Sequence, residues 1–417
     1  MTSAVTGRPP VIVVGAGPVG MTAAAVLARE GLRVVVVEAT TEPMPDWRAS
    51  TFHAATLELL ERIDITPRMH AEGLVVPRYQ FRDRTDGLVA EFDLTLLADE
   101  TSYPYRLQLN QQRLVRFLYD RLLAEPHVDL RFGTRVTGVS DTGGAATVSA
   151  EGPDGPETIT GCFVIGADGP ASTVRRSLGV PFDGHTYPER FLIVSTPVDM
   201  RTRLPGLAEV NYVSDPRQWL FILHTPEAWR VLWPVPADQP PEEATRPEVI
   251  QRQLQGVAPL PGGYPVIDHQ IYNVHQRVAE RFRTGRVALI GDAAHINSPV
   301  GGVGLNSGIH DAVDLTLRLT RILTEGADAD AELDAFEARR RRVALEYVQA
   351  DTQRNTDRLR ETDPAVRRRN HDDLRAIAAD PDRARAWLRR VSLLESVRRF
   401  GIGTPPIEPD THEVRIR

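Results

Sequence analysis

The spacing of apolar and polar positions changes along the chain, and each change predicts an element. A β-branched run at Pro10–Val14 leads into a small-residue helix at Pro18–Glu30, and Arg33–Glu38 forms a second buried strand. Leu57, Leu60 and Ile63 give Thr51–Ile63 helical spacing, Val75–Leu97 is strand-like, and Gln111–Leu123 is again a helix. Val128–Val139 and Ala146–Ala150 predict strands joined by a turn at Asp141–Gly144, with a further buried strand at Ile159–Ile165. From Arg190 to Tyr272 the texture becomes aromatic and proline-punctuated, with short strands at Phe191–Thr196, Glu209–Val213, Trp219–His224 and Trp229–Val235. These predict a mostly antiparallel sheet inserted into the first unit, because strand–helix elements of the first kind resume at Arg286. There a strand, Val287–Ile290, is followed by a Gly/Pro loop and a helix starting near Gly304. The C-terminal third reads as helical, with heptad-like apolar spacing in Ala331–Val348, and the tail after Gly401 as extended.

Three stretches of this pattern carry chemistry. Gly15-Ala16-Gly17-Pro18-Val19-Gly20 follows a strand and opens a helix: Gly15 permits the turn, Gly17 a close approach to a pyrophosphate, and Gly20 tight helix–strand packing. The pyrophosphate then meets the positive end of the helix. Glu38, at the end of the next strand, is placed to accept ribose hydroxyls, and its charge repels a 2′-phosphate, so NADP is not the ligand of this loop. The second stretch is Gly291–Asp292 after its strand. Its carboxylate can accept hydrogen bonds from a polyol chain, although alone it reads equally as a helix N-cap. Beyond Pro299–Gly302, free N–H groups around Leu305 and Asn306 open a helix whose positive end favours the negative charge of a reduced flavin. The third, Gly166–Arg175, is a strand, an Asp168–Gly169 turn and a helix that Ser172 can cap; in isolation it reads as a structural turn.

Composition narrows the field. With 41% hydrophobic and 25% charged residues the chain is of ordinary globular type. A net charge of −7 argues against nucleic acid as a partner. No apolar run reaches the length of a membrane span, and Met1–Pro10 lacks the form of a signal peptide. Cys162 is the single cysteine, in an apolar stretch, and reads as a buried inert thiol; no intrachain disulfide is possible, which fits the cytoplasm. All basic side chains other than histidine are arginine, so lysine Schiff-base chemistry and a Walker-type phosphate grip are excluded.

Together the three stretches, spanning roughly residues 10–325, resemble the class A flavin-dependent aromatic monooxygenases, the p-hydroxybenzoate hydroxylase type. The resemblance implies an α/β fold: a glutathione-reductase-like FAD-binding Rossmann domain with an inserted substrate-binding sheet, here followed by C-terminal helices. It divides the chain into a discontinuous FAD domain (1–74, 107–183, 275–325), a substrate domain (75–106, 184–274) and a helical region (326–417). By the same resemblance Gly15, Gly17, Gly20 and Glu38 hold the ADP portion of FAD. Arg48 lies near the pyrophosphate, Gln111 beside the ribityl chain, and Asp168 in a motif associated with FAD and NAD(P)H. Asp292 binds the ribityl chain, and Pro299, Gly304, Leu305 and Asn306 surround the ring. The implied reaction uses NAD(P)H and O2 to hydroxylate an aromatic, phenolic or polyketide-like molecule through a flavin C4a-hydroperoxide, so no side-chain nucleophile is named. A flavin-dependent isoprenoid reductase or epoxidase and a prenyl-binding carrier on the same fold remain alternatives. A halogenase is disfavoured by the absence of lysine and of a Trp-x-Trp-x-Ile motif.

The substrate is expected against the inserted sheet. Alternation places Trp219, Phe221 and Leu223 on one strand face and Trp229, Val231 and Trp233 on one face of the next. Tyr212, Phe221, Leu223 and Trp233 are the candidate substrate contacts, Tyr212 as a phenol-deprotonating or hydrogen-bonding group. Thr225 falls where the benzoate hydroxylase carries an arginine for its substrate's carboxylate, so the ligand need not be a benzoate. His295 reads as a structural hydrogen-bonding residue, and His53 and His310 as helix-surface or packing residues. Arg339–Arg342, with Glu332, Asp334 and Glu337 nearby, reads as a solvated helix face above a packing stripe of Leu333, Phe336, Val343 and Tyr347. No cluster has metal-ligand spacing, so no metal is expected. A monomer or homodimer is expected. Asp292→Ala is predicted to lower FAD content in the purified protein; a variant with full flavin content and affinity would remove Asp292 from its assigned role.

Overall fold

The computed structural model describes residues 8–45 and 47–405. Met1–Gly7 and the tail beyond Pro405, two regions addressed by the sequence reading, lie outside them. Val11–Val14 (Val-Ile-Val-Val) and Val34–Val37 (four valines) are unbroken β-branched runs because both faces of their sheet are covered. The sheet runs in the order 283–284, 287–289, 163–166, 11–14, 34–37, 128–131, parallel throughout except for its first edge strand. The helix Pro18–Arg29 packs on it beside Gln111–Leu123 and Gly304–Thr320. Gly15 adopts φ +105° as the first strand turns into the helix. At Gly20 a Cβ would come within 2.0 Å of the Gly15 carbonyl oxygen. The turn therefore tolerates no side chain at either position.

An eight-stranded sheet forms the second layer system, in the order 295–296, 268–279, 182–196, 229–235, 220–224, 210–214, 78–83, 87–93. All pairs are antiparallel except 210–214 with 78–83. Its register corrects one expectation. Phe221 pairs with Leu232 and Ile222 with Val231, so Phe221, Leu223 and Leu232 share a face, while Val231 and Trp233 point the other way. Trp233 is packed with Leu192, Val194, Trp229 and Leu254 beneath the helix Pro247–Val257, so it is core of the opposite face and not a substrate contact. Alternation shows which residues of one strand share a face, but it cannot phase one strand against its neighbour.

Several strands also divide differently from the sequence reading. Ile159–Ile165 is two strands, Gly155–Gly161 in a three-stranded sheet and Phe163–Gly166 in the parallel one. Cys162 sits at the break, half-buried, its Sγ 3.5 Å from the Pro10 carbonyl oxygen. Val128–Val139 likewise divides between two sheets, and Thr51–Ile63 is a two-residue strand before a helix at Ala54–Glu61.

Of the C-terminal helices, Ala329–Val343 packs against Gly304–Thr320, while Ala350–Arg360, Pro364–Ala379, Pro381–Val391 and Leu394–Phe400 close over the eight-stranded sheet. Leu333, Phe336, Val343 and Tyr347 are buried. The solvated-face reading of Arg339–Arg342 fails at Arg340, which is 2% exposed and pairs with Asp311. Glu332 is buried too, holding Arg318 at 2.8 Å and Arg321 at 2.7 Å, while Asp314 takes Arg318 from the other side at 3.0 Å. A heptad pattern marks apolar contacts only; it is silent about charges that find buried partners on another helix. Among the described residues no helix is long and apolar enough to cross a membrane. Arg318→Met leaves two buried carboxylates short of a partner and is expected to destabilise the protein by about 3–5 kcal/mol, read as a lowered urea midpoint.

Candidate functional site

The glycine turn and the Asp292 turn stand side by side because their strands, Val11–Val14 and Val287–Leu289, flank the same neighbour, Phe163–Gly166. Two cavities lie along the strand ends. One, of about 490 Å³, is bounded by Gly15, Gly17, Glu38, Arg48, Gln111 and Asp168. The other, of about 500 Å³, is bounded by Gly17, Arg48, Gln111, Asp292, Pro299, Gly304 and Leu305. Gly17, Pro18, Arg48, Gln111, Ala167 and Gly169 belong to both, so the two are halves of one groove. Each half has the size of an ordinary ligand pocket, roughly 300–1,000 Å³. A Cβ on Gly17 would meet only open space, which leaves that backbone accessible from the groove.

The acidic residues of the groove have different duties. Glu38 accepts from the Ala16 N–H at 2.8 Å and the Thr40 N–H at 2.9 Å, fixing the glycine turn while its carboxylate still borders the cavity. Asp168 accepts from the Ser172 hydroxyl at 2.6 Å and from the Thr173 and Val174 N–H groups, so it also anchors its own turn. Ser172 caps the helix Thr173–Ser177 by accepting from the Arg175 N–H. Arg175 then donates to the Ala293 carbonyl at 2.8 Å, tying the Asp168 turn to the Asp292 turn, a link with no sequence signature. Asp292 sits half-buried in the short turn Gly291–Ala293 and faces the larger half of the groove.

Asn306 does not border the groove. It is fully buried, donating to the Thr51 and Gly302 carbonyls at 2.8 and 2.7 Å and accepting from the His53 N–H at 2.9 Å. His53 is equally buried, with Nε2 3.1 Å from the Gly301 carbonyl oxygen, so the Pro299–Gly302 loop is braced from below. His310, also without exposure, lies 2.9 Å from the Thr56 hydroxyl. A surface position for either histidine is thereby excluded. Burial, reinforced by the charge of Arg106, lowers His53 to about 3; burial, reinforced by Arg340, lowers His310 to about 3. His295 is structural: its Nε2 is 2.7 Å from Asp311, whose carboxylate also accepts from the Gly291 N–H at 3.1 Å and from Arg340 at 2.6 Å. Burial alone would raise the Asp311 pKa, but Arg340 and His295 outweigh it and hold it at about 2.

On the sheet side the groove is walled by Phe221 and Leu223, both anticipated, and by Ile193, Arg230, Leu232 and Tyr272, which were not. Arg230 is 1% exposed and pairs in register with Leu223; its Nη1 lies 3.5 Å from the Arg48 carbonyl and the Ser50 hydroxyl. A lone arginine between Trp229 and Val231 was the available signal. Tyr212 pairs in register with Phe221 on the next strand, on the same sheet face with ring centroids 4.8 Å apart, and lies outside the groove. Thr225 is buried in its turn, hydrogen-bonded to Ala228. Among the described residues one group, Asp83, Asp86 and His371, could converge on an ion, but Asp83 is already paired with Arg367.

Residues 8–351 match the family model described as FAD binding domain. The chain is 35% identical over 378 residues to the para-nitrophenol 4-monooxygenase of Pseudomonas sp. (strain WBC-3), covering 90% of this chain and 92% of that protein. It is 33% identical over 390 residues to the 6-hydroxy-3-succinoylpyridine 3-monooxygenase HspB of Pseudomonas putida (strain DSM 28022 / S16), covering 93% and 98%. The crystal structure of p-nitrophenol 4-monooxygenase PnpA from Pseudomonas putida DLL-E4 superposes with a TM-score of 0.89 at 30% identity, over 95% of this chain and 99% of that one.

The two buried histidines imply a pH dependence. They stay neutral in the folded protein down to about 3, whereas an unfolded histidine takes up a proton near 6.5. The unfolded chain binds more protons in that window, so stability is full above pH 6.5 and is lost as pH falls toward 3. In urea titrations His310→Gln is expected to flatten this decline by up to about one proton. An unchanged slope would place the proton uptake elsewhere.

Proposed function

The chain belongs to the FAD-binding-domain family of flavin monooxygenases and is an FAD-dependent aromatic hydroxylase; from that premise we propose that it hydroxylates a phenol, with NAD(P)H as reductant and O2 as oxidant. The observation that carries the substrate reading is the continuity of the groove. A half shaped by a glycine turn and a helix N-terminus runs without interruption into a half walled by Phe221, Leu223, Leu232 and Ile193. The first half suits a dinucleotide, since its backbone is open at Gly17 and its floor is the positive end of Pro18–Arg29. The second suits a flat apolar ring.

In this reading Gly15, Gly17, Gly20 and the helix they open hold the pyrophosphate with Arg48, and Glu38 holds the ribose. Gln111 and Asp292 hold the ribityl chain, and Pro299, Gly304 and Leu305 flank the ring. Asp168 and Asn306 act at one remove, by fixing turns. When bound, FAD supplies the redox chemistry that activates oxygen. The protein's own residues orient and shield: the wall of Phe221, Leu223, Leu232 and Ile193 excludes water, and the loop braced by His53 and Asn306 would border the flavin when it is bound. A monomer or homodimer is part of the same proposal, as is a cytoplasmic location, to which the single cysteine is suited.

The purified protein is expected to be yellow and to oxidise NAD(P)H faster when phenols are added, with a product heavier by one oxygen. Flavin-loaded protein whose NAD(P)H oxidation responds to no member of a phenol panel would overturn the substrate reading.

A further inference from the structure

The loop 299–302 shows Pro299 and Gly302 to the groove, and its own backbone does little to fix it there. Gly301 and Gly302 take φ +115° and +65°, values a glycine adopts freely, and one turn bond joins the Gly302 N–H to the Pro299 carbonyl at 3.0 Å. His53 and Asn306 hold the far end of the loop by the Gly301 and Gly302 carbonyls. The near end, at Ser298, is held from a different side.

The strand Asp268–Ala279 runs past the loop, and its Tyr272 and Val274 border the groove. Gln276, next on the same face, is 5% exposed and turns beneath the loop instead. Its Oε1 accepts from the Ser298 N–H at 3.1 Å, and its Nε2 donates to the Gln349 carbonyl at 3.1 Å. One amide therefore joins the loop to the C-terminal helices, and an amide suits the place because it is donor and acceptor at once. Gln349 ends a π turn, Ala344–Gln349, set between the helices Ala329–Val343 and Ala350–Arg360. Such turns interrupt the regular ladder and recur at functional sites. A second rung lies alongside, where the buried Ser298 and Thr356 hydroxyls are 3.2 Å apart. Packing alone does not fix the distance between loop and helix. Between them lies a cavity of about 20 Å³, lined by Arg106, Val300, Gly301, Thr352 and Asn355, among others. The loop is thus held by hydrogen bonds beside a gap with room for about one water.

Resting on the reading that the groove holds FAD with Pro299 beside its ring, we propose that Gln276 is a positioning residue for the hydroxylation. Fastened to the C-terminal helices, it keeps the loop closed against the flavin and water out of the groove. Coupled turnover takes one NAD(P)H, one proton, one O2 and one aromatic C–H, and returns NAD(P)+, one water and the hydroxylated ring. When water reaches the site, the same NAD(P)H, proton and O2 return NAD(P)+ and hydrogen peroxide, and the aromatic ring is unchanged. Gln276 then governs the share of electrons that reaches product, acting through the loop.

The test uses FAD-loaded protein and two readouts. Acrylamide quenching of the bound flavin's fluorescence reports access to the ring without turnover. Product formed per NAD(P)H oxidised, with the most stimulating phenol of the panel, reports coupling. Gln276→Met keeps the length of the side chain and loses both bonds, whereas Gln276→Asn stays polar but is too short to reach both partners. At full flavin occupancy Gln276→Met is expected to raise the quenching constant at least about twofold and to lower product per NAD(P)H by a similar factor. Gln276→Asn should move both readouts in the same direction by less. Flavin as shielded and turnover as coupled as in wild type overturns the proposal when seen in Gln276→Met. If that variant does not fold, the same result in Gln276→Asn overturns it. Wild-type protein whose flavin is as open to acrylamide as free FAD would defeat the groove reading itself, and the proposal with it.

Discussion

Asp311 holds three elements with one carboxylate. It lies without exposure on the helix Gly304–Thr320, where one oxygen takes the Gly291 N–H and the His295 ring and the other takes Arg340 from the helix Ala329–Val343. A charge in that position is expensive to desolvate, and Arg340 and His295 keep it ionised. The turn that carries Asp292, the helix whose N-terminus faces the groove, and the first C-terminal helix are thereby fixed to one another. Arg175 adds a second fastening from the Asp168 turn to the Ala293 carbonyl. These two contacts fix the backbone behind the Asp292 half of the groove from outside it.

The same division of labour recurs around the loop Pro299–Gly302. Residues facing the groove, such as Pro299 and Leu305, are held there by residues that do not, namely Asn306 and His53. Both are fully buried; Asn306 turns its whole amide to backbone, and His53 its Nε2. A neutral histidine suits such a brace, because a protonated one would bring a further unpaired charge next to Arg106. The loop in turn separates a roomy cavity from a small one, and the aromatic stack of Phe221 on Tyr212 continues that partition on the sheet side.

Much of this was legible beforehand wherever one local rule governed a residue. The glycine turn, its helix and the valine strands follow from steric demands confined to a few neighbours, and they were read with their boundaries nearly intact. The helix Gln111–Leu123 and the strand Trp229–Val235 were likewise legible in full. Trp233 was not, because facing depends on how one strand registers against another, and that is settled only when Phe221 meets Leu232. Arg340 and Glu332 were misread as solvated for a related reason. Charge at a surface-like spacing looks the same whether or not a partner waits on another helix.

The sequence by itself determined the class of ligand and the order of the parts: a strand, a glycine turn and an acid at one end, a second acid and a helix N-terminus far along the chain, and an aromatic sheet between them. Each is a short-range pattern, and short-range sterics and hydrogen bonding are written in neighbouring residues. Only the tertiary structure decided that the two ends share one groove, that Tyr212 falls outside it on the strand beyond Phe221, and that Arg106 arrives next to Tyr212 with no carboxylate paired to it among the described residues. Those are relations between segments distant in sequence, and their distances are set by the packing of whole elements rather than by any run of residues.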